Sequence, residues 1–363
     1  MNKQSLVSAG KKMIQPAIAL LAAFVVTSVI ILVIGYSPFN IFGSILKGAF
    51  GNANAVLGTM FRMTPILMTG LAFTVAIRAG LVNIGIEGQL CTGAFIATLV
   101  GLYARGLAPL PHILLTIGGA VLGGGLCGAF IAFMKIRFNA HEFITSIMMN
   151  SIVTYITSYF VSGPLRTPGD VAQTSSVSQD IMLPMLSERN NLSIGIIIAV
   201  ALAVILFFYF KCTAKGFEMN IVGNSPMVAR FSGIHINKTI YHTMFLSGGI
   251  AGLCGAVHVL GYLGRYINDF SPGFGFDGVA VSALAGGNPL ACIASSLLFG
   301  GLKAGSIRLN IMTKAPKEFV DLIQAVAIIL IAAPKLTSSL ESWMCKKANH
   351  TKQAQQQPPA AQR

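Results

Sequence analysis

"AGLVNIGIEGQL", residues 79–90, stands between two long apolar runs and decides how the whole chain is read. It places Asn83, Glu87 and Gln89 close together and spaces them with Gly80, Gly85 and Gly88. A carboxylate at mid-bilayer costs roughly 3 kcal/mol even on lenient insertion scales, so such groups face a bundle interior or a water-filled cavity. Glycines so placed permit a break in the helix, where freed backbone groups line a cavity. Were the segment regular helix, Asn83 and Glu87 would lie four apart on one face. The stretch reads as a pathway-lining or gating element. The plainer alternative is a membrane-boundary turn with Glu87 held by Arg78.

The surroundings require a bilayer. Of 363 residues, 54% are hydrophobic and 10% charged, with a mean hydropathy of +0.73. A soluble domain carries roughly 25% charged residues, so the composition belongs to an integral membrane protein. Residues 13–46 and 190–210 hold stretches near the roughly 20 apolar residues that a crossing helix needs. The runs are continuous, not alternating every second residue, which excludes a β-barrel. The fold class is all-α and polytopic.

Apolar segments fall near 16–35, 62–79, 88–104, 111–134, 143–162, 192–211, 239–262, 277–287, 289–306 and 318–334. They predict about ten transmembrane or half-membrane helices, with 277–287 too short to cross alone. The N-terminal apolar stretch is too long for a signal-peptide core and lacks a small-x-small cleavage site before Tyr36, so it reads as a first span. Lys3, Lys11 and Lys12 at its start, and Lys335, Lys346, Lys347, Lys352 and Arg363 near the other end, predict cytoplasmic termini. Lys135, Arg137, Lys211, Lys215, Arg230 and Lys238 then fall inside. Arg62, Arg105, Arg166, Arg189, Arg265, Arg308, Lys314 and Lys317 fall in outer loops, against the rule, so the termini decide the topology.

Net charge is +14, but the basic residues are scattered through loops and ends and form no aromatic-laced face, which argues against nucleic acid. Six cysteines make no CxxC and six histidines make no HxxxH, so no metal site, disulfide or cofactor is expected. Glycine-rich runs at 118–130 and 247–257 predict close helix packing, and the pentapeptide GLCGA at 125–129 and 252–256 reads as shared packing chemistry rather than a repeat.

Two connections are long. Residues 163–191 hold three prolines and many small polar residues and predict an external loop or cap. Residues 216–238 are punctuated by Gly223, Pro226, Gly233 and His235 around a short helix near 225–232. Such a helix suits docking into a groove on a soluble partner, or else lies on the lipid surface. A further polar constellation, "SPGFGFDGVAVSALAGGNPL" at 271–290, sets Asp277 beside Phe274 and Phe276. It reads as a half-helix whose N-terminus aims donors at a ligand, with an Asp N-cap as the plainer alternative. Phe274 or Phe276 offers a stacking surface for a planar solute. Phosphate-binding GxxxxGK[ST] is absent, so a transporter with this sequence takes its energy from an ion gradient or a separate ATPase.

"GLVNIGIEGQ", "VGNSPMVARFSGI", "GFGFDGVAV" and "NPL" occur in that order. With them the chain resembles the permease subunits of bacterial ATP-binding-cassette importers in the branched-chain amino acid, ribose and simple sugar superfamily, over roughly residues 55–335. Within it, the chain is similar to the nucleoside branch served by basic-membrane-protein-type binding lipoproteins. The resemblance implies that 216–238 is the cytoplasmic coupling element of a transmembrane permease domain, which hydropathy extends over 1–335; the polar, Gln-, Pro- and Ala-rich stretch at 336–363 reads as a disordered cytoplasmic tail. It implies substrate-pathway or gating roles for Asn83, Glu87, Gln89, Phe276 and Asp277, and ATPase coupling through Gly223, Asn224, Ala229, Arg230, Gly233 and Ile234. Two departures stand out: Ser225-Pro226-Met227-Val228-Ala229 lacks the acidic residue common in the coupling loop, and Ala285-Gly286-Gly287-Asn288 lacks a bulkier or charged one.

The implied protein is a non-enzymatic subunit in a bacterial plasma (inner) membrane. Its implied partners are an ATPase subunit, a second permease subunit, an extracytoplasmic binding lipoprotein, a nucleoside or simple sugar, and the lipid bilayer. The rival class is an ion-coupled secondary transporter with Glu87 and Asp277 as proton or cation sites. A receptor or scaffold without transport is a third.

Overall fold

A computed structural model describes residues 21–104, 106–313 and 318–332. Lys3, Lys11 and Lys12, and the tail at 336–363, lie outside the described residues. The chain divides into two compact units, Met1–Ile41 with Ala315–Arg363, and Phe42–Lys314. The first holds helix α1 (Leu21–Val33) and helix α13 (Glu318–Ala332). Within it Phe319 meets Tyr36 edge-on at 5.4 Å between ring centres.

The second unit carries the rest: α2 (Pro38–Phe50, which begins in the first unit), α3 (Ala53–Arg78), α4 (Ile86–Tyr103), α5 (Pro109–Phe138), α6 (Glu142–Ser162) and α7 (Gly195–Cys212). After them come α8 (Ala214–Asn224), α9 (Pro226–Phe231), α10 (Ile236–His258), α11 (Phe274–Leu284) and α12 (Pro289–Thr313). Among the described residues, seven helices are long and apolar enough to cross a membrane. α11 has 11 residues, about 16 Å at 1.5 Å per residue, and reaches only halfway. Each of the ten predicted apolar segments meets a helix. α2 is an extra element, and Arg62 and Arg308, assigned to outer loops, stand inside α3 and α12, because α3 begins nine residues before its apolar segment and α12 runs past the end of its own.

α3 and α10 are the central helices, with most of their length buried, whereas α6 and α7 expose most of their apolar surface, as lipid-facing helices do. Small residues set the central contacts. A Cβ at Gly128 would strike the Met244 carbonyl, one at Gly252 the Ala120 carbonyl, and one at Gly255 the Leu90 carbonyl. The two GLCGA segments therefore lie on one tight α5–α10 seam, where backbones touch and dispersion replaces the hydrophobic effect as the driving force.

The 163–191 connection runs as a strap. Its stretch 172–183 bonds along the chain after α10: Thr174 N–H to Tyr266 O at 3.0 Å, Val177 N–H to Gly264 O at 2.8 Å and Leu183 N–H to Leu260 O at 2.8 Å. A short hairpin, β1 (Met185–Ser187) with β2 (Leu192–Ser193), follows and leads into α7.

Candidate functional site

The break at 79–85 is built by satisfying backbone groups that a helix would have satisfied itself. α3 ends at Arg78, Gly80 takes a positive φ of 72°, and the chain turns back beside α3 before α4 starts at Ile86. How far it turns back is fixed by Ser247 of α10, whose hydroxyl donates to Ala72 O at 2.8 Å and accepts from Asn83 Nδ2 at 2.9 Å. Asn83 thus stands level with Ala72, about 9 Å back along α3 from Arg78. Such non-helical backbone at membrane depth needs partners from neighbouring helices. Ile84 N–H donates to Ser146 Oγ at 3.2 Å, Asn150 Nδ2 donates to Ile84 O at 3.0 Å, and Gly88 N–H donates to Asn150 Oδ1 at 2.8 Å. Ser146 and Asn150 of α6 escaped the sequence reading, although polar residues inside an apolar span were the available signal.

Asn83 and Gln89 are both fully buried and face each other. Asn83 Nδ2 donates to Gln89 Oε1 at 3.0 Å, and Gln89 Nε2 donates to Asn83 Oδ1 at 3.2 Å. Asn83 Oδ1 also accepts from Gly85 N–H at 3.1 Å.

Glu87 takes another direction. Its carboxylate accepts from Gly275 N–H at 2.6 Å, in the first turn of α11, while sitting in the first turn of α4 itself. Two helix N-termini converge on one carboxylate, each with its positive dipole end. The approach requires Gly275, since a Cβ there would lie 2.6 Å from the Glu87 nitrogen. Arg78, which charge alone offered as a partner for Glu87, goes elsewhere: Nε donates to Gly287 O at 3.0 Å and Nη1 to Asn220 Oδ1 at 3.1 Å.

Asp277 pairs with Lys303 of α12, and both side chains are nearly buried, at 11% and 13% exposure. The N-cap of α11 is Gly273, with φ 88°, so the N-cap reading of Asp277 is corrected. Lys303 Nζ also lies 5.9 Å from the centre of the Phe274 ring, within cation–π range. Phe274 is buried while Phe276 is 50% exposed, because two residues on a helix turn about 200°. Lys303 was missed, and a lone lysine inside an apolar span is the signal that finds it.

At the far end of α3, the 216–238 element forms α8 and α9. Gly223 wedges against the α3–α4 turn: its Cβ would strike the Arg78 carbonyl and lie 2.8 Å from Gly80 N. Asn224 Nδ2 donates to Asn220 O at 2.9 Å. Ser225 caps α9, Ala229 is fully buried, and Gly233 at φ 74° lets Ile234 N–H bond back to Ala229 O at 3.0 Å. That anchoring leaves Met227, Val228, Arg230 and Phe231 outward and exposed.

A sequence profile of the family described as "Branched-chain amino acid transport system / permease component" matches residues 55–332. The chain is 35% identical to the guanosine ABC transporter permease protein NupP of Bacillus subtilis, over 88% of this chain and 92% of that protein. It is 30% identical to the nucleoside ABC transporter permease protein NupB of Lactococcus lactis, over 89% and 91%. It is 28% identical to the glucose ABC transporter permease protein TsgB13 of Haloferax volcanii, over 87% and 86%.

Proposed function

This chain belongs to the branched-chain amino acid transport system permease component family, and from that premise we propose which solute it carries and how it is driven. As an ABC transporter permease component it is a multi-pass membrane subunit, and the ion-coupled reading gives way to that one. The solute is a nucleoside. The names of the 35% and 30% identical relatives favour that class over a simple sugar.

The observation that carries the mechanism is the meeting of α4 and α11 at Glu87, beside the Asp277–Lys303 pair. A half-helix such as α11 can tilt against the start of α4 without tearing a full span. Their N-termini point donors into the space they border. Asn83, Gln89, Phe274 and Phe276 shape that region, with Phe276 outward. Movement arrives from the opposite end. An ATPase subunit receives Met227, Val228, Arg230 and Phe231 of α9 in a groove, and Gly223, Asn224, Ala229, Gly233 and Ile234 hold that helix rigid. Because Gly223 touches the α3–α4 turn, a push on α9 reaches the break directly. ATP hydrolysis belongs to the ATPase, an external binding lipoprotein delivers the solute, and a second permease subunit completes the pore. The termini lie on the cytoplasmic side of a bacterial inner membrane.

Reconstitution in proteoliposomes tests this. Uptake of labelled guanosine is expected only with ATP, the ATPase subunit and the binding protein all present. Uptake by the permease alone under an ion gradient overturns it, and uptake of ribose without guanosine changes the substrate class. Arg230→Glu is expected to insert normally, lose uptake and co-purify poorly with the ATPase. Wild-type uptake by that variant removes the coupling assignment.

A further inference from the structure

A second polar feature lies beside the charged site, where α10 ends under the strap. His258 is the last residue of α10, and the helix continues as a π-turn, Val259–Leu263, closed by Gly264 at φ 63°. Such π-turns are uncommon and concentrate at functional sites. The imidazole is 9% exposed and lines a small pocket, about 20 Å³, with Phe61, Thr64, Ser193, Cys254 and Tyr262. That space holds about one water molecule, so a base enters only if Phe61 and Tyr262 move aside.

The walls are aromatic. His258 lies 6.4 Å from Phe61 and 5.6 Å from Phe270 in near-parallel stacks, and Tyr262 and Phe274 approach edge-on at 5.7 and 5.5 Å. Of the pocket's hydroxyls, Thr64 donates to Met60 O at 2.9 Å and Ser193 accepts from Gly195 N–H at 3.3 Å. Among the described residues the imidazole's neighbours are rings, and no hydrogen bond reaches either ring nitrogen. Neither ring nitrogen is among the sealed, unpaired polar atoms, so the imidazole opens onto the pocket and can take a partner there.

We propose that His258 recognises the base of a nucleoside at this aromatic pocket, an outer binding station on the translocation path. The inference rests on the reading above that the solute is a nucleoside, and it adds the residue that reads the base. A nucleobase has the two properties the pocket lacks a partner for: a flat π-face for Phe61 and Tyr262, and in-plane ring nitrogens for an imidazole that can donate or accept. A simple sugar has no ring nitrogen to offer. The pocket also connects to the charged site, since Phe274 touches both His258 and Lys303. Measured along α3, Phe61 and Arg78 stand about 25 Å apart, which puts this station at the end remote from α9.

The test is direct binding of tritiated guanosine to the purified complex of permease and ATPase subunits, without binding protein, by scintillation proximity. His258→Leu is expected to raise Kd about tenfold, and His258→Gln, which keeps a donor and an acceptor, less than threefold. Guanosine analogues with one ring nitrogen replaced by CH separate recognition from structure. At least one analogue is expected to bind wild type and His258→Leu equally. Equal losses for guanosine and every analogue, tracking a lowered melting temperature, would show a structural histidine and overturn the proposal. Unchanged guanosine binding by His258→Leu overturns it too. If the wild-type complex imports no guanosine even with its binding protein, the nucleoside reading fails first and takes this one with it.

Discussion

Asn83 and Gln89 on one side and Glu87 on the other come from one short stretch of sequence and do opposite kinds of work. The amides are sealed: each satisfies the other, Ser247 ties them to the α3 backbone, and neither has any exposed surface. Glu87 is ionisable, half-buried, and held by backbone of a different helix that itself ends at membrane depth. Closed neutral networks fix a geometry, because every rearrangement leaves a buried group unpaired. A carboxylate shared between helix N-termini tolerates rearrangement, because dipole attraction fades gradually with distance. The first is suited to hold the broken helix in shape, and the second to let it move.

A graded set of substitutions breaks or sharpens that contrast. The largest effect is expected for Lys303→Met, which removes the cation paired with the nearly buried Asp277; removing one partner of a buried pair costs about 3–5 kcal/mol. Folded yield after detergent extraction should collapse. The double variant Lys303→Met/Asp277→Asn should recover folded protein but not uptake, and recovery of both would make the pair purely structural. Next, Asn83→Leu leaves the Gln89 amide and the Gly85 N–H without a partner, while Ser247 keeps its bond to Ala72 O, at about 1–3 kcal/mol for each unsatisfied group. The melting temperature should drop, and any protein that survives should transport with normal solute affinity. Altered affinity in that fraction would move the amides from scaffold to pathway.

Glu87→Gln keeps an acceptor for Gly275 N–H and removes the charge. Folded yield should stay within about twofold of wild type while uptake falls about tenfold, or about 1.4 kcal/mol in the barrier. Normal uptake would erase the distinction between the two clusters. The smallest effect is expected for Phe276→Ala, whose ring is half exposed. Uptake should change less than about threefold, whereas Phe274→Ala should weaken it more, since that ring contacts both His258 and Lys303.

Much of the fold was legible in the residues. Ten apolar segments predicted ten helices, because a bilayer forces each crossing element into one continuous apolar run. Their ends were less legible: α3 begins at Ala53, well before its apolar segment, and α12 runs past Arg308, since backbone hydrogen bonding does not stop where apolarity does. In the candidate site, polarity in an apolar context pointed to Asn83, Glu87, Gln89 and Asp277. The same signal at Ser146, Asn150, His258 and Lys303 is weaker, because one polar residue per span is common in packed helices.

By itself the sequence determined that this is a polytopic helical membrane protein, that its chain breaks at 79–85, and that a short capped helix interrupts 216–238. The reason is local: solvent, propensity and capping act on neighbours along the chain. The partners were decided only by tertiary structure. Glu87 meets Gly275 and not Arg78, Asp277 meets Lys303, Gly223 meets the α3–α4 turn, and His258 sits among aromatic rings. Hydropathy fixes which residues leave the lipid, but which of them then meet depends on how closely the backbones approach, and that is set by glycines far apart in the chain.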